Sequence, residues 1–119
     1  MTTRNYRDLE VWQKSMNLVE EVYKLTALLP KEELFGLTNQ LRRAAVSIPS
    51  NIAEGNTRAS LKEYGRFLSI ARGSKSEIET QLEICLRLGY LNTDQISKAV
   101  SMCDSIGAML FSMIQKYKD

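Results

Sequence analysis

Histidine is absent from the 119-residue chain. With it go the commonest general base, the commonest transition-metal ligand and the side chain whose charge ordinarily changes near neutral pH. Cysteine is scarce. Cys85 and Cys103 are the two present, they match no metal spacing, and each falls at a core position of its predicted helix, where a reduced thiol behaves as a small hydrophobe. No apolar run is long enough to span a bilayer, and the opening residues, Met1 to Asp8, lack the apolar stretch of a signal peptide. A cytoplasmic location and no membrane partner are the expectations. Charge of one sign is not in excess either: the formal net charge is +2, which announces no nucleic-acid binder but leaves room for a local basic patch.

What is present is ordinary globular material, with 44% hydrophobic and 25% charged residues, a balance that argues against disorder. One domain over residues 1–119 is expected, long enough to bury a core without metals or disulfides.

The apolar residues recur at helical spacing throughout, and nothing reads as a strand. Asp8 is placed to cap a first helix running to about Leu29 and stopped by Pro30. That helix has two apolar rows. Leu9, Trp12, Met16, Val19, Tyr23 and Thr26 form one, and Val11, Leu18, Val22, Leu25 and Leu29 form the other. Together they cover about half the circumference, wider than the stripe of roughly 100° that one helix needs to face a core. A second helix is expected from Glu32 and Glu33, which suit the positive end of the helix dipole, to Asn56. Its core track is Leu34, Leu37, Leu41, Ala44, Ala45, Ile48 and Ile52, and Pro49 predicts a kink, with a break into two shorter helices as the alternative. Ser60 and Glu63 have capping-box spacing ahead of a third helix lined by Tyr64, Phe67, Leu68, Ala71, Ile78, Leu82 and Cys85 and ended by Gly89. Gly73, in mid-helix, suggests close approach by a neighbouring backbone. Asn92 or Thr93 caps a fourth, where Ile96, Ala99, Cys103, Ile106, Leu110, Met113 and Tyr117 make the cleanest heptad. Four amphipathic helices on short connections predict an all-α, antiparallel up-down-up-down four-helix bundle.

Some polar residues fall where they invite a function. Gln40, Arg43, Ser47, Asn51 and Glu54 form a line beside the apolar track of helix two rather than opposite it, so they are half buried and need partners. Helix three offers Arg66, Gly73, Glu77 and Gln81 in an arc shared with Ile70, Ile84 and Leu88, a mixture typical of packed interfaces. Two readings stay open here: bonds between helices two and three of one chain, or contact between subunits. Arg42 and Arg43, with Arg58, Lys62, Arg66 and Arg72, are candidate phosphate contacts. Acidic residues are interspersed among them, and the sequence shows no aromatic platform there. For catalysis only Glu54, Glu63, Glu77 and the serines remain, and neither Ser74 with Lys75 nor Ser60 with Lys62 has a spacing that lets the two side chains meet on a helix. No enzyme activity, cofactor, metal or small-molecule substrate is inferred.

Several stretches resemble the bacterial 23S rRNA-intervening sequence proteins. They are Leu9 to Lys14, Phe35 to Ala45, Ser47 to Gly55, and Gly73 to Glu77. The likeness covers nearly the whole chain and is weakest in the last helix. Its most specific element is Gln-x-Arg-Arg-Ala followed by Ser-Ile-x-x-Asn-Ile-Ala-Glu-Gly. The resemblance implies a four-helix bundle that assembles into a homopentameric ring, and a link to ribosomal RNA through the genes in which some relatives are encoded. It places the family's signature polar residues on Gln40, Arg43, Ser47, Asn51, Glu54, Arg66 and Glu77, with no assigned reaction.

The expectation is therefore a non-enzymatic assembly protein in which helix one and the polar line on helices two and three make heterologous contacts that close a ring. RNA binding through a repeated basic patch is the alternative, and recruitment of another protein through an exposed apolar groove is a third.

Overall fold

The computed structural model describes residues 5–118, and the parts of the leader and single-domain expectations that fall on residues 1–4 and 119 lie outside it. Four helices follow one another: α1 (Glu10–Thr26), α2 (Leu37–Asn56), α3 (Leu61–Arg87) and α4 (Thr93–Lys116). Each packs on its neighbours in sequence and α1 closes on α4, while the diagonal pairs do not approach among the described residues. The result is a square up-down-up-down rod of 48 × 22 × 22 Å.

Local chemistry explains most of the ends. Asn92 and Gln95 form a reciprocal capping box at α4, each side chain bonded to the other's backbone N–H at 2.8 Å. At α3 half of the expected box is made, the Glu63 N–H donating to Ser60 Oγ at 3.1 Å. Gly89, with φ +78°, ends that helix as expected. Its left-handed backbone lets the Tyr90 N–H reach back to the Cys85 carbonyl at 2.9 Å.

Other ends correct the sequence reading. Asp8 lies in a 3-10 turn (Tyr6–Asp8) and does not cap α1, whose N-cap is Leu9 without a side-chain bond. α1 stops at Thr26, and residues 27–29 continue as tight turns into extended Pro30. Helix two begins at Leu37, not near Glu32, because Lys31–Glu33 forms its own 3-10 turn. Glu33 still serves the helix, since its Oε1 accepts the Leu37 N–H at 3.1 Å, and its Oε2 accepts the Tyr90 hydroxyl at 3.0 Å. Gly36 leaves the space: a Cβ there would meet Glu33 Oε1 at 2.7 Å. α2 then runs through Pro49 to Asn56 without dividing into two helices.

The core is built as the heptads predict. Leu18, Val22, Leu41, Ile48, Ile52, Leu68, Ile78, Leu82, Ile106 and Leu110 are fully enclosed, each worth about 1.5–3 kcal/mol of apolar transfer. Leu34 is the exception, half exposed because it precedes the helix rather than joining its face. Cys85 and Cys103 are buried free thiols. Burial, with the Glu79 charge adding to it, pushes the Cys103 thiol up to about 12, which makes it inert as a nucleophile. Gly73 does not mark a close helix approach, since a Cβ there would touch nothing within 4 Å. That role falls to Gly55, where a Cβ would stand 2.8 Å from Phe67 Cβ and 2.9 Å from Tyr64 Cδ1.

Candidate functional site

The polar line on α2 meets α3 in a cleft of about 350 Å³ lined by Asn39, Gln40, Arg43, Ala44, Ser47, Ser74, Glu77 and Gln81. Its floor is bonded within the protomer. Ser74 Oγ donates to Ser47 Oγ at 2.9 Å, and Asn51 Nδ2 donates to the Ser47 carbonyl at 2.8 Å and to its Oγ at 2.9 Å. Gln81 Nε2 donates to Gln40 Oε1 at 3.3 Å. For Ser47 and Asn51, then, the intramolecular reading accounts for the half-buried position, whereas Gln40 is exposed, contrary to expectation, and reaches in only through its bond from Gln81.

The rest of the predicted set behaves differently. Arg43 and Glu77 stand exposed on either side of the same cleft. Neither has an oppositely charged partner within 4.0 Å among the described residues. Gln81 is only 8% exposed, and its Oε1 has no donor among the described residues, a situation that costs about 1–3 kcal/mol when nothing relieves it. Glu54 lies outside the cleft and accepts from Arg58 Nη2 at 2.7 Å. Arg66 is not brought to the cleft either: it lines a groove between α3 and α4 with Lys62, Tyr117 and Lys118.

A second feature lies one face away. Tyr6, Trp12, Met16, Val19, Val46, Pro49, Ser50 and Ala53 line an apolar groove of about 340 Å³ between α1 and α2. Of the two apolar rows read on helix one, Val11, Leu18, Val22, Leu25 and Leu29 fill the core. Thr26 of the other row is buried too, and the exposure falls in that row at Met16, 37% accessible, and Tyr23, 43% accessible. Val46, 42% accessible, faces them from α2.

The candidate phosphate contacts are dispersed, and three of them lie on aromatic rings. Arg42 covers Tyr23 at 4.6 Å and donates from Nε to Thr26 Oγ1 at 2.9 Å. Arg58 covers Phe67 at 4.8 Å, and Arg72 covers Phe111 at 5.1 Å. The absence of aromatics among the basic residues, read from the sequence, is thus corrected, because rings distant in sequence reach these arginines across helix seams. Ser74 and Lys75 are turned to different neighbours, the lysine pairing with Glu79 at 3.0 Å. Among the described residues no cluster of Cys, Asp and Glu is placed to hold a metal ion, and no helix is long and apolar enough to cross a membrane.

Sequence reasoning overlooked Ser74 as a partner of Ser47. A signal existed: Ser74 lies three residues after Ala71 and four before Ile78, in register with the core, where a small hydroxyl needs a bond.

A square antiparallel bundle with a polar cleft on one seam and an open apolar groove on the next defines the class, an all-α four-helix module with unfinished flanks. The 23S rRNA-intervening sequence protein family matches residues 7–112, and the chain belongs to that family. Among solved structures, one similar chain is a protein of unknown function from the S23 ribosomal protein family of Bacteroides thetaiotaomicron, in a crystal structure at 1.70 Å resolution. It is 27% identical, the match covers 87% of this chain and 97% of that one, and the TM-score is 0.81. No curated protein matches the chain.

Proposed function

We propose that the chain is a non-enzymatic assembly module that associates with copies of itself into a ring, with the five subunits that its family resemblance implies. The observation that carries this is the exposed apolar row of α1. Met16, with half-buried Trp12 and Val19, lines one groove with Val46, and Tyr23 adjoins Val46 in a neighbouring one, and apolar surface of this kind is what association buries. Native mass spectrometry of the full chain at micromolar concentration tests it. One dominant closed oligomer is expected, and a monomer at that concentration would remove the proposal.

RNA binding is kept as a second reading on one specific observation. Lys62, Arg66 and Lys118 surround Tyr117 in the α3/α4 groove, so cations and a ring come together there. A ring would repeat this groove and add weak phosphate contacts. Affinity for ribosomal RNA fragments should then fall steeply between low and moderate salt; salt-independent binding, or none, would count against it.

A further inference from the structure

The α2/α3 cleft is framed by two bridges, Ser47 to Ser74 at 2.9 Å and Gln40 to Gln81 at 3.3 Å. The bridges are two helical turns apart, so the opening between them is about 10 Å long. Arg43 and Glu77 stand inside that frame on opposite walls. Neither has an opposite charge within 4.0 Å among the described residues.

The polar groups are sorted by wall. The α2 wall holds spare donors: the Arg43 guanidinium and, one turn on, the Ser47 hydroxyl, whose oxygen already accepts from Asn51 Nδ2 and Ser74 Oγ and whose proton is left to give. The α3 wall holds spare acceptors: the Glu77 carboxylate and, one turn on, Gln81 Oε1, buried without a donor among the described residues. The Gln81 amide is held there by a long bond to Gln40, so it is free to swing that oxygen toward a donor in the cleft.

A ligand for such a cleft carries both charges on one small frame. We infer that the α2/α3 cleft binds a free α-amino acid, with its carboxylate on Arg43 and Ser47 and its ammonium on Glu77 and Gln81. A guanidinium fork suits a carboxylate, and an ammonium has three protons to share between a carboxylate and an amide oxygen. A volume of about 350 Å³ holds a molecule of that size. The opposed signs select against simpler ligands, because an oligophosphate would be repelled by Glu77 and a lone cation by Arg43. Neither neighbouring groove offers both signs: Lys62, Arg66 and Lys118 make the α3/α4 groove cationic, and the α1/α2 groove is apolar. The cleft floor is bonded within one chain, so the site is complete in the protomer and does not rest on self-association.

The test is calorimetric titration of the full-length chain with each proteinogenic L-amino acid in turn. At least one should bind saturably, with a Kd of about 1 mM or below. Its N-acetyl and carboxamide forms each lack one of the two charges, and each should bind about tenfold more weakly. Two substitutions at exposed positions then separate the two ends of the ligand, with thermal melts checking that both variants fold. Arg43→Gln should bind the free amino acid about tenfold more weakly and lose the preference for it over the carboxamide, while keeping the preference over the N-acetyl form. Glu77→Gln should show the converse. Such a crossed loss of selectivity would not follow from a merely structural role. No saturable binding by any amino acid, equal binding of the three forms, or variants that keep both preferences would each overturn the site. None of these outcomes bears on self-association, which native mass spectrometry decides separately.

Discussion

The seam between α2 and α3 has two ends built on opposite principles. Near the α2–α3 turn, Gly55 admits Tyr64 and Phe67 so closely that no Cβ fits between the helices. Farther along, from Ser47 to Gln40, the same two helices diverge enough to leave a cleft bridged by hydroxyls and amides. At the closed end the contacts serve the protomer. The open end keeps a buried acceptor and two charges that are unpaired among the described residues, in reach of a visitor. One helix pair thus divides its length between holding the fold and presenting a surface.

Substitutions should separate the two ends, and the largest effect is expected at the closed one. Gly55→Ala forces a methyl group against Phe67 and Tyr64 and should destabilise the chain by about 1–3 kcal/mol, read from urea unfolding. At the open end Gln81→Met should have the opposite sign: removing the orphaned amide leaves protomer stability unchanged or raises it by about 1 kcal/mol. Should Gln81→Met destabilise the protomer as Gly55→Ala does, the distinction between the ends disappears. Ser74→Ala removes one donor to Ser47, which keeps its bond from Asn51, so a loss of about 1 kcal/mol or less is expected in the same unfolding experiment.

The smallest effect at neutral pH is expected for Tyr64→Phe, since the Asn56 bond to the Tyr64 hydroxyl is long, at 3.4 Å. Alkali should reveal it. Burial raises the Tyr64 hydroxyl above its ordinary 10.0, so folding favours the protonated form. Below pH 10 both states are neutral and stability is unaffected; above it the unfolded chain ionises first and stability falls. Thermal melts against pH should show a shallower alkaline decline for Tyr64→Phe than for the parent.

Much of the fold was legible because heptads report burial directly. α4 reads almost without error from Ile96 to Leu110, and the two apolar rows of α1, together too wide for one core face, leave Met16 and Tyr23 exposed, although which row would face outward was not legible. The failures come where a residue's role depends on its neighbours in space. Leu34 fits a helical period but lies outside the helix, and Gly73 and Gly55 are indistinguishable until the partner helix is placed. On the α2/α3 seam, Ser47 and Asn51 are half buried as their register predicts, and Gln40 is not. That Arg66 would turn toward α4 and Glu54 toward Arg58 was hidden, since long side chains choose among partners that only the assembled bundle supplies.

The Glu33 carboxylate, divided between the Leu37 amide and the Tyr90 hydroxyl, has a consequence for how the molecule opens. It ties the link inside the first helical hairpin to the link inside the second, so neither can fray at that pole without releasing the other. Amide protons at Leu37 and around Tyr90 should therefore exchange with solvent as one cooperative unit, although 52 residues of chain lie between them.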